Sequence, residues 1–397
     1  MRVAIYHNLP SGGAKRALLE FIRNTGSDVK YDLYRIDDPI NEEFLDVRSL
    51  VNNTYSYQVK QVEIPRFMKG LRMLEPILDL KRLINKQREI AKDIDKRGYD
   101  LVFVHHCRIT QSPAILTFLD TPSIYYMQEP RRISFEYNFR PHFQKVKGPI
   151  SLLRNMQQRY LETLKKKVDM SAERSAAMVL SNSYYSRESI LRAYGTDSLV
   201  TYLGVNEDEF TIKENLGERA AISVGALHPA KGHDFIIRSL GTIPETLRPK
   251  LHIVYDRELT GYKEKLKSLA SDMGVKIILH NNINQDELVR LYQISAVTTC
   301  AAQLEPFGFT PLESMACGTP VVAVKEGGYR ETVMDHKNGL LVARVETDFG
   351  SAVRSIIDGQ AHFESEELRS YIEHKWLWGI SAAKLIDRFK DMAELKK

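Results

Sequence analysis

The sequence has few cysteines, no long hydrophobic run and none of the common zinc signatures. Its three cysteines, Cys107, Cys300 and Cys317, lie far apart among 397 residues and form no CxxC pair. Buried free thiols in a reducing compartment are therefore expected. No apolar run approaches the roughly 18 residues that a membrane-spanning helix needs. The chain begins with a strand-like segment, residues 1–6, rather than a secretory signal, so we predict a cytoplasmic protein.

The sequence also lacks a convincing metal or dinucleotide motif. Asp93-Ile94-Asp95 resembles an acidic metal motif, but it lies inside a charged helical run, which favours solvated helix surface. Gly12-Gly13 follows the first strand without the glycine spacing of a dinucleotide-binding or Walker loop. We therefore predict no metal and no cofactor.

Basic residues are concentrated in the first half of the chain. Residues 1–205 carry 32 lysines and arginines against 23 acidic residues, whereas residues 206–397 carry 24 against 28. The densest region, residues 131–167, has ten basic and two acidic residues. This excess favours an anionic partner, either a phosphorylated acceptor or a lipid surface, and we predict no nucleic-acid partner.

Part of this basic region has the spacing of an amphipathic helix. Apolar residues such as Leu152, Met156 and Tyr160 precede Lys165-Lys166-Lys167. Such a helix can lie at the interface of an anionic membrane. In the alternative interpretation, the apolar stripe packs on the N-terminal domain and the lysines face water.

Strand-like and helix-like segments alternate along the chain. The pattern starts at Val3–Tyr6 and restarts at Ala221–Val224, after a polar stretch near residue 206. Such alternation predicts two doubly wound α/β domains with parallel sheets, whose ligands bind at the carboxyl ends of the strands, in a cleft between the domains. We place the first domain at 1–205, the second at 206–372, and a C-terminal helix at 373–397.

The most informative stretch runs from Glu305-Pro-Phe-Gly-Phe-Thr-Pro-Leu to Glu313. Gly308 allows the backbone to approach a ligand closely. Thr310 is expected to cap a helix, whose N-terminal amides would attract a diphosphate. Thr310 and Glu313 also have capping-box spacing, which would give Glu313 a structural role instead.

This stretch resembles the retaining glycosyltransferases of family 4, which have the GT-B fold, and Gly327-Gly328 and Glu331 continue the likeness. The resemblance implies that Glu305 contacts donor sugar hydroxyls and that Glu313 binds the ribose. It also implies that amides in the loop hold the diphosphate and the sugar. The donor-binding residues expected from it are Gly12, Gly13, Phe307, Gly308, Phe309, Thr310 and Glu313.

A second block, Val224-Gly-Ala-Leu-His-Pro-Ala-Lys231-Gly, looks like the same family's Gly-Arg-Leu…Lys-Gly element. Lys231 should then meet the diphosphate, where a cation stabilises the leaving charge. The family's arginine is Ala226 here, so one of two expected phosphate cations is missing. Trp378 matches the aromatic residue on the C-terminal helix that crosses back to the first domain.

The first domain supplies further candidates. His105 and His106 end an apolar strand, where a sugar-contacting group belongs, although a role in the core is an equal alternative. Gln128 stands near the position where relatives have a histidine beside the transferred sugar. We predict catalytic roles for Lys231, Glu305, His106 and Gln128. Arg131 and Arg132, which open the basic region, are the predicted acceptor-binding residues.

The resemblance implies a retaining glycosyltransferase, and Lys231 with the helix-terminal amides makes a metal unnecessary. The enzyme would move a sugar from a UDP- or GDP-linked donor to a glycan, lipid-linked or small-molecule acceptor in polysaccharide or glycoconjugate biosynthesis. A double displacement through a carboxylate is one retaining route. We favour a same-face substitution, because the resemblance puts Glu313 at the ribose. A nucleotide-sugar epimerase of the same fold and a non-catalytic nucleotide-sugar-binding subunit are the alternatives.

Overall fold

Two parallel β-sheets organise the chain, one in each of two compact units. The computed structural model describes residues 1–9, 12–37, 45–136, 149–213 and 218–394. Unit 1 comprises residues 1–182, 186–201 and 382–397, and unit 2 comprises residues 183–185 and 202–381. The domain boundaries at 206 and 373 inferred from the sequence stay predictions.

Unit 1 contains a seven-stranded sheet in the order β3-β2-β1-β4-β5-β6-β7, and every neighbouring pair is parallel. Its strands are β1 Arg2–Asn8, β2 Lys30–Ile36, β3 Asn53–Tyr57, β4 Leu101–Cys107, β5 Ser123–Tyr126, β6 Met178–Ser181 and β7 Leu199–Val200. Its helices are α1 Gly13–Asn24, α2 Glu75–Asp95, α3 Arg132–Phe135, α4 Pro149–Arg174 and most of α5 Tyr184–Tyr194. All seven residues of β4 are buried, as expected for a central strand with helices on both faces.

Unit 2 contains a six-stranded parallel sheet in the order β10-β9-β8-β11-β12-β13. Its strands are β8 Glu218–Val224, β9 Lys250–Tyr255, β10 Ile277–Asn281, β11 Ser295–Cys300, β12 Val321–Val324 and β13 Gly339–Val342. Its helices are α6 His233–Gly241, α7 Tyr262–Asp272, α8 Gln285–Ile294, α9 Phe309–Ala316, α10 Tyr329–Thr332, α11 Glu346–Ile357, α12 Ser365–Lys375 and the start of α13 Trp378–Glu394. The predicted pair of doubly wound α/β sheets is thus confirmed.

The C-terminal segment is two helices rather than one. Trp376 is completely buried, and its carbonyl accepts a hydrogen bond from the amide of Val205, both within unit 2. The helical path is interrupted there, and α13 then begins at Trp378. From Ala382 onward α13 belongs to unit 1, where the ring of Phe389 packs edge-on against Phe103 of β4.

No helix in the described parts of the chain is long and apolar enough to cross a membrane. Residues 137–148, in the middle of the basic region 131–167, lie outside the described residues.

Candidate functional site

In unit 2, two loops that follow neighbouring strands bring a lysine and a glutamate into contact. Nζ of Lys231 lies 2.9 Å from Oε2 of Glu305, and both side chains are partly exposed. The amide of Gln303 donates to the carbonyl of Ala230 at 2.8 Å, which joins the two loops through their backbones. The sequence predicted a role for each residue, and the fold of unit 2 makes them partners.

The loop after β8 is held by a buried histidine that the sequence analysis did not select. His233, the first residue of α6, is completely buried. Its Nε2 lies 3.1 Å from the carbonyl oxygen of Gly225, and its Nδ1 lies 3.0 Å from Oγ of Ser223. A carbonyl oxygen can only accept, so Nε2 carries a proton. Burial lowers the pKa of the ring to about 4, so the ring is neutral at neutral pH and Nδ1 accepts from Ser223. The only feature of the sequence that pointed to His233 is its position directly after Lys231-Gly232.

A glycine beside Lys231 allows the loops to approach this closely. Gly232 has a φ of +73°, and a Cβ there would lie 2.1 Å from the carbonyl oxygen of Ala301. No side chain fits at that distance, so the turn that carries Lys231 requires glycine.

The second loop leads into α9 through Gly308. This residue is the N-cap of the helix and has a φ of +99°, and no side chain caps the helix. A Cβ on Gly308 would lie 2.9 Å from Cδ1 of Tyr329. The expectation that Thr310 caps the helix is therefore wrong, because the left-handed glycine allows α9 to begin at Phe309. The first amides of a helix have no partner within it, so Phe309 and Thr310 lie where an anion binds best.

The backbone of the glutamate loop is fixed from two sides. The amide of Gly328 donates to the carbonyl of Glu305 at 2.7 Å, and Oγ of Ser183 donates to the carbonyl of Pro306 at 2.6 Å. Phe307 is 2% exposed, and its ring centroid lies 5.7 Å from that of Trp376. The Phe307 side chain is thus part of the core, and only its backbone can serve a ligand.

Glu313 has a different environment from Glu305. Its side chain is buried on α9, and Oε2 accepts a hydrogen bond of 2.9 Å from the hydroxyl of Tyr292 on α8. Burial and the neighbouring carboxylate raise the pKa of Tyr292, so the hydroxyl stays protonated and donates. Because α9 begins before Thr310, Glu313 lies inside the helix and forms no capping box. A sequence motif cannot reveal a partner such as Tyr292, 21 residues away.

The third glutamate of the resemblance, Glu331, serves the backbone. Its carboxylate accepts hydrogen bonds from the amides of Tyr184 and Tyr185 and from the hydroxyl of Tyr202. All four residues belong to unit 2. Glu331 therefore holds the chain where residues 183–185 and 202 join this unit.

In unit 1, the predicted glycines begin a helix directly after β1. Gly12 is the N-cap of α1, and its carbonyl accepts hydrogen bonds from the amides of Lys15 and Arg16. Lys15 is 1% exposed, and its charge contributes to lowering the pKa of Asp46, after the larger effect of the hydrogen bond from Arg48. A helix start with a buried lysine is a suitable environment for an anion. No motif in the sequence distinguishes Lys15 from a surface lysine of α1.

The paired histidines of β4 are interior residues. His106 is 8% exposed, and its Nε2 accepts a 2.8 Å hydrogen bond from the amide of Gln128, so it ties β4 to the end of β5. Burial lowers the pKa of His106 to about 4. His105 is 1% exposed and packs edge-on against the ring of Phe103. This geometry favours a supporting role for both rings over proton transfer.

Buried polar atoms gather near the carboxyl ends of β4, β5 and β6. Nε2 of His105, Nε2 of Gln128 and Oδ1 of Asn182 are buried and have no hydrogen-bond partner within the described residues. Parallel register puts Tyr126 opposite Leu180, so Gln128 and Asn182 follow on adjacent strands. Buried polar groups ordinarily have partners, and a hydroxyl-rich ligand or water would supply them. Asn182 was missed, although a polar residue at a strand end was the available signal.

The two predicted acceptor-binding arginines are already paired in unit 1. Arg131 is 7% exposed and contacts the carboxylate of Glu162 on α4. Nε of Arg132 lies 2.8 Å from a carboxylate oxygen of Glu136. An anionic acceptor would have to compete with these carboxylates.

No cluster of three or more histidine, cysteine, aspartate or glutamate side chains that could hold a metal ion occurs in the described ranges. All three cysteines are buried and free.

The second half of the chain is similar to known glycosyltransferases. The sequence model described as Glycosyl transferases group 1 matches residues 205–375. The D-inositol 3-phosphate glycosyltransferase of Acidothermus cellulolyticus is 31% identical over 180 residues, which cover 42% of this chain and 40% of the relative. The GDP-mannose-dependent alpha-(1-6)-phosphatidylinositol monomannoside mannosyltransferase of Mycolicibacterium smegmatis is 28% identical over 245 residues, covering 54% of this chain and 62% of the relative. The chain thus spans between 40% and 62% of the length of these two relatives.

A solved structure covers almost the whole chain. The structure of Anabaena HepE in complex with UDP and glucose matches with a TM-score of 0.68 and 16% identity, over 98% of this chain and 100% of that chain. At this identity the likeness establishes the fold, which is the GT-B architecture of two Rossmann-like units.

Proposed function

We propose that this chain, whose residues 205–375 match the group 1 glycosyltransferase model, transfers a sugar from a nucleoside diphosphate to an acceptor with retention of configuration. The observation that carries this proposal is the 2.9 Å contact between Lys231 and Glu305. Glu305 lies four residues before the first residue of α9. It combines a cation, a hydrogen-bond acceptor and a helix N-terminus. These groups suit a diphosphate and sugar hydroxyls.

The donor-binding roles follow from this arrangement. Lys231 stabilises the charge that develops on the leaving diphosphate, and the amides of Gly308, Phe309 and Thr310 bind the diphosphate and sugar. Glu305 accepts hydrogen bonds from sugar hydroxyls, and Glu313 binds the ribose. Gly12 and Gly13 remain predicted donor-binding residues, since the start of α1 in unit 1 offers amides suited to a phosphate.

The donor base is uracil or guanine. The HepE structure is a complex with UDP, and the name of the Mycolicibacterium smegmatis relative specifies GDP-mannose. Both nucleotides therefore belong in any donor test.

We propose a same-face substitution without a metal ion. The acceptor oxygen bonds to the anomeric carbon on the face from which the diphosphate oxygen departs, and the acceptor proton passes to the departing phosphate. Two observations weigh against a double displacement, which needs a carboxylate at the anomeric carbon. Glu305 is paired with Lys231, and Glu313 is buried against Tyr292. The protein then contributes positioning and charge stabilisation.

The acceptor is a glycan, a lipid-linked molecule or a small molecule, on the cytoplasmic side of the membrane. An anionic acceptor fits the excess of basic residues in 131–167, and the names of the two relatives mention inositol 3-phosphate and phosphatidylinositol. Gln128 would contact the reacting sugars through its buried amide, while His106 positions Gln128. Arg131 and Arg132 would meet the acceptor charge, and the region 131–167 would contact the membrane peripherally.

A panel of UDP- and GDP-sugars tests the proposal. A true donor should raise the unfolding temperature of the purified chain, since ligand binding stabilises the folded state. Slow release of the nucleoside diphosphate, accelerated by an acceptor, should accompany it. Interconversion of the sugar without acceptor would indicate an epimerase. Stabilisation without any turnover would indicate a non-catalytic subunit, for which Ala226 at the expected arginine position is the motivation.

A further inference from the structure

Unit 1 exposes an unusual amount of apolar surface on two segments. Of the fifteen large hydrophobic side chains that the described residues expose most, eight lie on the 3-10 helix Arg66–Leu74, the first turn of α2 and the first half of α4. Phe67 is 82% exposed, Leu152 62% and Met156 59%. Contiguous exposed apolar area of this kind marks an interaction surface.

The two segments form one surface. The side-chain amide of Gln157 on α4 donates to the carbonyl of Met73 in the 3-10 helix. On one segment the exposed residues are Phe67, Leu71 and Leu74, and on the other they are Leu152, Met156 and Tyr160. On α4 the spacing of four residues keeps Leu152, Met156 and Tyr160 on one face. In the 3-10 helix the spacing of three residues keeps Leu71 and Leu74 on one face, and Phe67 is exposed on the same segment. We call these six residues the apolar patch.

Basic residues predominate in the sequence of the two segments that carry the apolar patch. Residues 66–78 and 149–161 together contain five lysines and arginines and one acidic residue, Glu75, which is paired with Arg72. Arg154 and Arg159 are exposed on α4 among the apolar residues. An apolar face with a basic rim is complementary to an anionic lipid surface. A second copy of the chain would instead bring two basic rims together, which is unfavourable in an isologous contact.

We propose that the apolar patch docks unit 1 on an anionic membrane. The sequence-based expectation gave the membrane contact to 131–167 and its lysines Lys165–Lys167, and the apolar patch keeps only Leu152, Met156 and Tyr160 from that region. Lys165 is paired with Glu162, and the amine of Lys166 lies 4.7 Å from the ring centroid of Phe135. Lys165 and Lys166 thus have partners within unit 1, and the 3-10 helix joins the first half of α4 in the proposed contact. The proposal does not depend on sugar transfer.

Vesicle co-sedimentation of the full chain tests the proposal. Wild type should bind vesicles of phosphatidylcholine and phosphatidylglycerol at low salt, and less at high salt. The double variants Phe67→Ser/Leu71→Ser and Leu152→Ser/Met156→Ser should each lower the partition coefficient by at least about tenfold. The matched control Leu191→Ser/Leu259→Ser/Val345→Ser removes exposed apolar side chains elsewhere and should bind like wild type.

Three outcomes overturn the proposal. In the first, wild type stays in the supernatant when it is mixed with anionic vesicles at low salt. In the second, both patch variants bind the vesicles as well as wild type does. In the third, wild type does not bind vesicles, and ultracentrifugation shows that it is a dimer whereas the patch variants are monomers. The patch would then be a contact between two copies of the chain. The Lys231→Ala variant should bind vesicles like wild type, so a failed docking proposal and a failed transferase proposal remain distinguishable.

Discussion

At the scale of single residues, the ion pair between Lys231 and Glu305 is the centre of the site. When no nucleotide sugar is bound, the amine of Lys231 and the carboxylate of Glu305 neutralise each other's charge. A bound diphosphate would draw the amine of Lys231 toward its own charge, and sugar hydroxyls would replace the amine at Glu305. The pair thus keeps two polar groups in position, which lowers the cost of ordering them when the donor binds.

Replacing Lys231 with alanine should slow the chemical step. Charge on the diphosphate grows as the glycosidic bond breaks, so kcat should fall by about 10²–10³ with a smaller change in KM. Steady-state kinetics with a donor from the panel measures both, and Lys276→Ala, an exposed lysine of unit 2, is the control. A raised KM at unchanged kcat would mean that Lys231 only binds donor.

Replacing Glu313 with glutamine should weaken binding of the nucleoside diphosphate by at least about tenfold, because one ribose acceptor is lost while the side-chain volume is kept. Tyr292→Phe removes only the hydroxyl that holds the carboxylate, so a smaller loss is expected. Calorimetry with the nucleoside diphosphate compares the two. Wild-type affinity in a folded Glu313→Gln variant would leave Glu313 with a purely structural role.

Sequence patterns could identify the residues of the site but not their partners. Lys231 and Glu305 stand in motifs, so their importance could be predicted, whereas their contact depends on how the loops after β8 and β11 pack. His233 and Asn182 had only weak sequence signals, namely a place beside Lys231 and a place at a strand end, and the role of Tyr292 depends on a hydrogen bond across the fold that a single sequence does not reveal.

At the scale of secondary-structure elements, glycines decide where the functional loops turn. The alternation of apolar and helical segments predicted both sheets correctly. The start of α9 was misplaced because Thr310-Pro311 is a good helix-start signal. The left-handed backbone of Gly308 allowed an earlier start at Phe309, and a positive φ is not visible in a sequence.

Replacing Gly308 with alanine should destabilise unit 2 and weaken donor binding together. The new Cβ would be strained at φ +99° and would lie 2.9 Å from Cδ1 of Tyr329. Strain of this kind costs about 1–3 kcal/mol of unfolding free energy. Gly359→Ala is the matched control, since it has a φ of +72° with no atom within 4 Å of its added Cβ. Urea unfolding should show the larger loss for Gly308→Ala, and equal losses would contradict the packing argument.

At the scale of the whole molecule, both units contain neutral histidines in their interiors. Burial lowers the pKa of His106 in unit 1 and of His233 in unit 2 to about 4 in each case. An unfolded histidine titrates near 6.5, so between these values the unfolded state binds the extra proton.

Stability should therefore fall as the pH is lowered from about 6.5 to 4. Each buried histidine contributes up to about 1.4 kcal/mol of unfolding free energy per pH unit in this window. Carboxylates also make the unfolding free energy depend on acid pH. We therefore compare wild type with His233→Gln by measuring the unfolding free energy in urea at several pH values. The variant should have the shallower dependence, and parallel curves would refute the assignment of a neutral buried His233.

Activity should survive chelation of divalent metals. In the proposed mechanism, Lys231 and the amides at the start of α9 supply the charge stabilisation that a metal would otherwise give. Turnover measured in EDTA should remain within about twofold of the untreated rate. Complete loss, restored by magnesium or manganese, would contradict the metal-free mechanism.

The most direct test of the account is acceptor-dependent release of the nucleoside diphosphate, with the anomeric configuration of the product followed by NMR. The chain should release UDP or GDP from its nucleotide sugar faster when an acceptor is present. The glycoside formed should keep the configuration of the donor, and Lys231→Ala should abolish most of this rate. An inverted product would exclude same-face substitution. Absence of transfer from every donor that stabilises the protein would contradict the glycosyltransferase assignment itself.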